Sequence, residues 1–405
     1  MEKYDVIVVG GGPAGMVAAY KAASLESKVL LIEKRFQCGS KLLITGKGRC
    51  NITNTKEWNE FSAHIHPDAN FFKSAFYNFS NNDIVSLLNE IGVPTQEERG
   101  DRVFPTSGVS SSVRNALVWC CENAGVDICY NSNVESIEKN EELFQLVVSK
   151  DKKEIEFLAH SLIIATGGLS YPSTGSTGDG YQFAEQFGHK IVRTRPSLTA
   201  LLPKNYSSDF YDLFLKNIKA DLFIDDALVQ SEFGELSCTN GGIEGALGFR
   251  LSRRAVKAID DGHKVEMVID LKNSLSEKQL RERIARELEG LRVKSIKNIL
   301  PKLLPGAAIT PFVNTNPSLN IESLPKALKC WKFRLVGYVG YERCVITSGG
   351  VSLKEISRKT MESKIVKNLY FAGEILDLDA DTGGYNLQIA YSTGALAGQN
   401  AGKQL

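Results

Sequence analysis

Residues 4–15 read YDVIVVGGGPAG, an unbroken apolar run that passes directly into a glycine-rich turn. The apolar residues Val6–Val9 predict a buried β-strand, and the alanines after the turn predict a helix. Gly10 permits the sharp turn, Gly12 lets a phosphate approach the backbone, and Gly15 lets the helix pack close to the sheet. The pattern therefore predicts a strand, a turn and a helix that together bind the pyrophosphate of a dinucleotide.

A second apolar run, Lys28–Glu33, ends in an acid that is placed to accept hydrogen bonds from a ribose. Pro13 suits the first helical turn because it has no N–H to donate, and Ala14 keeps the helix slim. We therefore expect Pro13, Ala14 and Glu33 to belong to the same nucleotide site. The fingerprint by itself does not distinguish FAD from NAD.

The composition predicts an ordinary globular protein. A chain of 405 residues exceeds one typical core, so we expect two or more domains. The net charge of +1 gives no reason to expect a nucleic-acid or membrane partner, and no apolar stretch approaches the ~18 residues of a membrane span. The eight cysteines are scattered, without a CxxC or Cys/His cluster, and the N-terminus lacks the pattern of a signal peptide. We therefore predict a cytoplasmic protein with reduced cysteines and no metal site.

Residues 35–54 follow the predicted ribose-binding acid directly and are rich in glycines and cations. Glycines let a backbone wrap closely around a ligand, and the cations suit a pyrophosphate. A flexible surface loop is the alternative interpretation.

Alternating apolar runs, separated by charged turns, predict a three-stranded antiparallel meander. They cover residues 134–139, 144–149 and 154–158. A separate buried strand, Ser161–Thr166, then ends at Gly167 and Gly168, as expected for the strand that returns to a nucleotide-binding sheet. Residues 96–105 predict a polar loop that ends in an apolar pair.

The character of the chain changes after His189. Short β-like runs occupy residues 191–270, and a helical, basic pattern follows. Residues 272–302 carry nine Lys/Arg against four Glu, which favours either a solvated helical face or a docking surface for an acidic partner. A looping return towards the first domain is predicted by Pro301, Pro305, Pro311 and Pro317.

The C-terminal part returns to the sheet. Leu369–Glu374 predicts a final buried strand, and a helix over Leu387–Ala401 follows the turn Gly383–Asn386. Asp377, Asp379 and Asp381 imitate the start of a calcium loop, but such a loop requires Gly and Glu where this chain has Thr382 and Gln388. We therefore predict no metal here.

Together these stretches resemble the BaiN/YhiN-type flavoprotein family of FAD-dependent, or NAD(P)/FAD-dependent, oxidoreductases, some of which are described as aminoacetone oxidases. The matching stretches are residues 10–15, 46–54, 102–105, 165–180, 347–351, 360–364 and 369–394. One stretch departs from the family pattern. Within Gly234–Ser252 the family usually has a histidine where this chain has Asn240, and the proline of that pattern is missing. No substrate of better-known members is therefore carried over.

The resemblance implies a mixed α/β architecture. It consists of a Rossmann-like, two-βαβ FAD-binding domain of the glutathione-reductase type, built from residues 1–190 and 345–405. Residues 191–344 would form an inserted β-barrel-like domain, with a helical subdomain at about 272–330. The implied cofactor is FAD, bound non-covalently because residues 35–54 contain no histidine.

The fingerprint and the resemblance together give a set of expected cofactor-binding residues. They are Gly10, Gly12, Pro13, Ala14, Gly15, Glu33, Lys34, Lys41, Gly48, Arg49, Cys50, Asn51, Val134, Ala165, Thr166, Gly167, Gly168, Gly373, Glu374, Gly383, Gly384, Tyr385, Asn386 and Leu387. The helix after Asn386 is expected to aim its N-terminus at the flavin ring and to stabilise the anion formed on reduction.

The catalytic residues are left open. Polar side chains in the glycine loops could either position FAD or contact the substrate. They are Arg49, Asn51, Tyr171, Tyr385 and Asn386. Arg102 could pair with a phosphate or a carboxylate, or hold its own loop. The histidines at 64, 66, 160, 189 and 263 lie outside the motifs and are interpreted as structural or surface residues.

Three functions compete. The favoured hypothesis is an FAD-dependent oxidoreductase of a small organic substrate. NAD(P)H would serve as a transient reductant, or the substrate would supply electrons that leave to oxygen. The alternatives are an FAD-dependent tRNA-modifying enzyme, supported by the basic segment alone, and a flavin-binding sensor or scaffold without turnover. The oligomeric state does not follow from the sequence.

Overall fold

The computed structural model describes residues 1–403. The chain divides into two compact units, residues 1–195 with 346–405, and residues 196–345. The last two residues of the predicted segment 345–405 lie outside the described residues. Among residues 1–403, none of the helices combines the length and apolar character needed to cross a lipid bilayer.

The N-terminal part of the first unit contains ten strands and six helices. The strands are β1 (Glu2–Val9), β2 (Val29–Ile32), β3 (Thr53–Asn54), β4 (Ile65–His66), β5 (Thr95–Glu98), β6 (Arg102–Pro105), β7 (Asp127–Cys129), β8 (Ser132–Lys139), β9 (Phe144–Lys150) and β10 (Lys153–Ile164). The helices are α1 (Pro13–Ala23), α2 (Trp58–Phe61), α3 (Ala69–Asn78), α4 (Asn81–Glu90), α5 (Ser110–Asn123) and α6 (Asp179–Gln186).

The predicted Rossmann-type sheet is confirmed. Its strand order is β7-β2-β1-β10-β9-β8, and a further strand described below also pairs with β10. The strands β1, β2 and β7 run parallel to one another, and β1 also runs parallel to β10. The core of this sheet consists of the apolar runs Val6–Val9, Val29–Ile32 and Leu162–Ile164, whose side chains are almost completely buried. Burial on both faces explains why these strands lack alternation.

The strand β10 differs from the prediction. The sequence predicted separate strands at 154–158 and 161–166, but β10 is continuous from Lys153 to Ile164. Its first half pairs antiparallel with β9, and its second half pairs parallel with β1. The two predicted strands are joined because Ala159 and His160 carry no turn signal.

Residues 96–105 also differ from the prediction, because they form the antiparallel hairpin β5–β6 rather than a loop. The strand β6 additionally pairs with β3, which creates a small three-stranded sheet. This sheet holds the segment around Thr53 beside the glycine loops of the first unit.

The second unit contains a closed six-stranded barrel. The elements of this part of the chain are, in order, β11 (Ile191–Ser197), β12 (Leu201–Pro203), β13 (Phe214–Ile224), β14 (Ala227–Thr239), β15 (Gly242–Glu244), α7 (Gly245–Asp260), β16 (Val265–Asp270), α8 (Glu277–Glu289), α9 (Ile296–Leu303), α10 (Gly306–Asn314), α11 (Leu324–Lys329) and β17 (Trp331–Tyr338). The barrel order is β12-β15-β14-β13-β16-β17. Leu251 of α7 and Trp331 of β17 lie in its fully buried core. The predicted barrel and helical segments are therefore present.

The proline-rich return is more helical than predicted. Pro301 lies inside α9 and Pro311 lies inside α10. The buried side chains Leu303 and Phe312 anchor these short helices in the core of the unit. Burial of apolar side chains thus outweighs the missing proline N–H in each helix.

The chain then returns to the first unit with three strands and a long helix. They are β18 (Ile346–Val351), β19 (Leu369–Phe371), β20 (Asp379–Ala380) and α12 (Tyr385–Gly402). The strand β19 adds to the main sheet parallel to β10, and β20 pairs antiparallel with β4. The helix α12 begins two residues earlier than predicted because Gly384, in a left-handed conformation, serves as its N-cap.

Candidate functional site

The turn between β1 and α1 leaves room for a ligand at the start of the helix. A Cβ on Gly15 would lie 1.8 Å from the Gly10 carbonyl oxygen, whereas a Cβ on Gly12 would meet no atom within 4 Å. No side chain caps α1, and Pro13 occupies its first turn. The uncapped N-terminus, with its positive dipole end, therefore borders open space beside Gly12 and suits a phosphate.

Glu33 lies beneath this turn and holds it. One carboxylate oxygen, Oε2, accepts the N–H of Gly11, and the other, Oε1, accepts the N–H of Arg35, each at 2.8 Å. Burial raises the pKa of the Glu33 carboxyl, and the two backbone hydrogen bonds oppose that rise. Each oxygen still has a lone pair for a ribose hydroxyl. Val134 lies nearby on β8, which starts where the Ser132 N–H donates to the Glu33 carbonyl at 3.1 Å.

Two cations that were expected to bind the cofactor are paired with carboxylates. Lys34 contacts Asp179 at 2.7 Å, and Arg49 forms a salt bridge with Glu98 while its guanidinium lies over the Phe104 ring. In the described structure these side chains stabilise the protein around the turn. Cys50 is fully buried, and desolvation raises the pKa of its thiol to about 12, so the group stays neutral.

Lys41 and Glu374 form the centre of a hydrogen-bond network. Lys41 Nζ donates to Glu374 Oε2 at 2.8 Å and to Ser170 Oγ at 2.9 Å. Glu374 Oε1 accepts from Ser170 Oγ at 2.6 Å and from the Thr347 N–H at 2.9 Å. The network joins the 35–54 segment to the loop after β10 and to β18. It fixes the glycine loops relative to one another.

The end of β10 closes the other side of the turn. The Ala165 N–H donates to the Val9 carbonyl at 2.8 Å, and a Cβ on Gly10 would lie 2.5 Å from the Ala165 carbonyl oxygen. The hydroxyl of Thr166 is buried, and it has no hydrogen-bond partner within residues 1–403. Gly167 and Gly168 continue into the loop that contains Ser170. The structure thus brings the two predicted glycine loops together.

The helix α12 packs in parallel along α1. A Cβ on Gly394 would lie 2.3 Å from the Ala14 carbonyl oxygen, and one on Gly398 would lie 2.1 Å from that of Ala18. Since α12 begins at Tyr385, its N-terminus extends nine residues, about 14 Å, beyond the level of Ala14. Two helix N-termini are therefore offset along one line, as a pyrophosphate joined to a flavin by a ribityl chain requires. Gly373 lies between the helices, because its Cβ would be 2.8 Å from that of Ala14.

The start of α12 is held by two asparagines. Asn51 accepts the Gly384 N–H at 3.0 Å and donates to the Thr53 carbonyl at 3.1 Å, an amide orientation assigned from these partners. A side chain on Gly384 would collide with the Thr53 backbone at 2.4 Å. Asn386 pairs its amide with both backbone groups of Ala380, each at 2.8 Å. Both asparagines therefore hold the turn. Gly383, Gly384 and Leu387 contribute the backbone of this turn and of the first turn of α12.

The other predicted candidates have structural contacts. Tyr171 precedes a short turn in a left-handed conformation with a φ of 49°. Tyr385 is 3% exposed, and desolvation raises the pKa of its phenol to about 12. Arg102 Nε donates to the Arg99 carbonyl at 2.9 Å, so this guanidinium holds its own hairpin. In the second unit, Asn240 accepts from Arg343 at 3.4 Å.

A histidine cluster was missed by the sequence interpretation. Asp381 Oδ2 lies 2.9 Å from His64 Nδ1, and Oδ1 lies 3.3 Å from His66 Nε2. The His64 ring also stacks on Tyr385, with the centroids 4.3 Å apart. These histidines are far from Asp381 in the sequence, and the short pairing of β4 with β20 brings them together. An alternating His-x-His in a short strand gives no sequence signal for that pairing.

Burial and hydrogen bonding act in opposite directions on Asp381. Burial by itself raises the pKa of the carboxyl, but the hydrogen bonds from His64 and His66 bring it down to about 2. Asp381 is therefore a carboxylate throughout the physiological range. A fixed negative charge and two imidazoles thus lie beside the first turn of α12.

The sequence profile of the HI0933-like protein Rossmann domain matches residues 4–400. The chain is 30% identical to the ribosomal RNA dihydrouridine synthase of Haemophilus influenzae, with 97% of each chain covered. It is 28% identical to the 3-dehydro-bile acid delta(4,6)-reductase of Clostridium scindens, with 98% of each covered. The 3-ketosteroid-delta4-(5alpha)-dehydrogenase of Rhodococcus jostii shares the fold, with a TM-score of 0.56, 15% identity and coverage of 100% of this chain and 97% of that one.

Proposed function

This chain belongs to the HI0933-like protein Rossmann family and is an FAD-dependent oxidoreductase, and we propose that it reduces a carbon–carbon double bond conjugated to a carbonyl group in a small cyclic substrate. One observation carries the proposal: two relatives that match nearly the whole chain are named for saturating such a bond. Dihydrouridine arises when the uracil double bond next to a carbonyl is saturated. A delta(4,6)-reductase of a 3-oxo ring system acts on double bonds conjugated to that oxo group.

We propose that FAD is bound non-covalently along α1 and α12 of the first unit. The N-terminus of α1 beside Gly12 would hold the pyrophosphate, and Glu33 would accept hydrogen bonds from the adenosine ribose. The flavin ring would lie at the start of α12, by Gly384. The offset of about 12 Å between the two helix starts supports this arrangement. Residues 1–190 and 345–405 would form the FAD-binding domain, and residues 191–344 the inserted domain.

The chemistry follows from the charge at the start of α12. When bound, FAD supplies a hydride equivalent to the substrate. No side chain caps the N-terminus of α12, so this end carries partial positive charge and would stabilise the negative charge of the reduced ring near its carbonyl edge. The hydrogen bonds of Asn51 and Asn386 keep this helix start rigid, so the charge is fixed in place before reaction.

We propose NAD(P)H as the electron donor. The sequence holds a single dinucleotide fingerprint, so the nicotinamide would bind transiently and leave before the substrate enters. Oxygen as an electron acceptor is the competing scheme. All eight cysteines are free thiols, which supports the proposed cytoplasmic location.

A second candidate is the same reduction on a uridine of ribosomal RNA. Two relatives of that name match this chain at 30% and 31% identity. The excess of five positive charges over residues 272–302 would suit an RNA backbone. The near-neutral whole chain favours the small substrate instead.

The test is anaerobic stopped-flow absorbance of the FAD-loaded protein. We expect NADH or NADPH to bleach the flavin, and we expect a cyclic enone to restore its absorbance while the matching saturated ketone does not. If oxygen restores the flavin absorbance and no cyclic enone does, the proposed reduction is wrong. Restoration by a uridine-containing ribosomal RNA fragment, in a salt-dependent manner, and not by enones would establish the second candidate.

A further inference from the structure

We propose that His64 donates the proton that completes this reduction, and that Asp381 is the positioning residue that orients its imidazole. The inference rests on the proposed function, because it assigns a role within that reaction. Saturation of a conjugated double bond adds a hydride equivalent at the β carbon and a proton at the α carbon. The protein must therefore supply a proton donor beside the flavin ring.

The geometry around His64 fits a proton donor. Its Nδ1 is engaged by Asp381 Oδ2 at 2.9 Å, and its ring is fixed against the Tyr385 ring, with the centroids 4.3 Å apart. The imidazole thus has a defined orientation, and the other nitrogen, Nε2, is the one that can exchange a proton. Tyr385 is the first residue of α12, so His64 lies beside the helix start at which the flavin ring is proposed.

The surrounding groups distinguish His64 from its neighbours. Tyr385 is a weaker acid than an ordinary phenol because its burial raises the pKa to about 12. His66 directs Nε2 to Asp381 at the longer distance of 3.3 Å, and no ring contact fixes it among the described residues. Other charged groups interact electrostatically with Tyr385 at the start of α12. They are Lys56, Glu60, Asp101 and Asp381.

Among the described residues, Asp381 is the carboxylate that contacts His64. Lys56 pairs with both Glu60 and Asp101, at 2.6 and 3.1 Å, so these two acids are compensated. Within residues 1–403, the ion-pair partners of Asp381 are the two imidazoles. Its carboxylate engages Nδ1 of His64 and leaves Nε2 for the proton transfer.

The step balances in atoms and electrons. The β carbon gains a hydride equivalent from the reduced cofactor, which is thereby oxidised by two electrons. The π pair of the double bond moves to the α carbon, which takes the proton from His64 Nε2. The imidazole is left neutral and regains a proton from solvent, since 31% of the His64 side chain is exposed. Asp381 remains a carboxylate throughout.

The experiment separates the two half-reactions of the FAD-loaded protein in stopped flow. For His64→Gln we expect bleaching by NAD(P)H at the wild-type rate, because that step needs no proton from His64. Reoxidation by the cyclic enone should slow about a hundredfold and lose the pH dependence that the wild type shows. His263→Gln is the matched control, since His263 forms an exposed pair with Asp225 in the second unit. It should behave as the wild type.

A second readout needs no turnover. Nitrogen-15 NMR of the imidazoles in the full chain should show the proton of neutral His64 on Nδ1, and Asp381→Ala should redistribute it between the two nitrogens. If His64→Gln does not fold, His64→Ala with added imidazole replaces it, and we expect imidazole to restore reoxidation. An unchanged tautomer in Asp381→Ala would overturn the positioning role.

The outcomes distinguish this inference from the proposed function. If the enone reoxidises the wild type and His64→Gln at the same rate and with the same pH dependence, His64 is not the donor. If the enone does not reoxidise the wild type, the proposed function fails, and the donor role fails with it. A slow His64→Gln accompanied by an equally slow His66→Gln with an unchanged pH profile would indicate a structural role and overturn the inference.

Discussion

Gly394 of α12 lies so close to Ala14 of α1 that a Cβ on the glycine would be 2.3 Å from the Ala14 carbonyl oxygen. The nearest atoms all belong to the backbone of α1, which cannot move aside as a flexible side chain could. This contact sets the separation of the two helices and thereby the position of the α12 N-terminus. Ala14 also belongs to the first turn of α1, so the contact acts directly on the pyrophosphate end of the proposed site.

We predict that Gly394→Ala destabilises the first unit by about 1–3 kcal/mol, because overpacking outweighs the helix propensity that alanine adds. Thermal unfolding, followed by the fluorescence of Trp58, Trp119 and Trp331, measures the effect in both units. Gly306→Ala is the matched control, because a Cβ at this exposed helix start meets no atom within 4 Å. Equal melting temperatures for the two variants would show that the helices separate without cost.

We predict that Glu33→Gln lowers FAD retention at least tenfold and the free energy of unfolding by about 1–3 kcal/mol. Glutamine keeps one acceptor oxygen, so one of the N–H groups of Gly11 and Arg35 would face an amide NH2. Flavin fluorescence after gel filtration measures retention. The exposed Glu138→Gln on β8 should retain FAD as the wild type does, and equal retention by Glu33→Gln would contradict the ribose role.

We predict a pH-dependent stabilisation from Asp381. Its pKa of about 2 in the folded protein lies below the ordinary value of 3.8, so the folded state is favoured above pH 4 and the gain is lost as the pH falls through about 2. The shift corresponds to about 2 kcal/mol at neutral pH. The difference in unfolding free energy between the wild type and Asp381→Asn should therefore shrink as the pH falls from about 5. A difference that stays constant with pH would refute the linkage, and Asp151→Asn, at the exposed turn between β9 and β10, provides the comparison.

We predict that Lys41 and Glu374 are energetically coupled. A double-mutant cycle with Lys41→Met and Glu374→Gln should give a coupling of about 1–3 kcal/mol, because the pair is mostly buried and Glu374 also accepts from Thr347 and Ser170. The half-exposed pair Lys28–Glu2 should show a much smaller coupling in the same urea-unfolding assay. If the effects of Lys41→Met and Glu374→Gln on the free energy of unfolding are additive, the two residues are not coupled.

The Rossmann-type fold could be predicted because its signals are local. Val6–Val9, the glycine turn and Glu33 lie within one short stretch, and each residue type has one physical task there. The barrel was also expected, since the family resemblance covered it. The prediction of two strands in place of β10 was wrong. Apolar and polar residues alternate in the first half of this strand, where it pairs with β9, whereas the second half, where it pairs with β19, is continuously buried. Tertiary pairing decides that change.

The candidate site could be predicted only in part, because several of its contacts are long-range. Lys41 was expected to face a phosphate, and its pairing with Glu374 spans most of the chain. Asn386 was expected at the ring, but its amide closes the turn at Ala380. His64 carried no local pattern, and its partner Asp381 is known only once β4 and β20 pair. Sequence motifs thus identified the backbone of the site better than its side chains.

The parallel contact of α12 with α1 also bears on how the protein is made. Synthesis runs from the N-terminus, so α1 leaves the ribosome long before Gly394 and Gly398, the residues that pack against it. During that interval the apolar face of α1 lacks its cover, and the barrel unit between the two segments can fold first. We therefore expect the nascent chain to gain flavin affinity only at the end of translation.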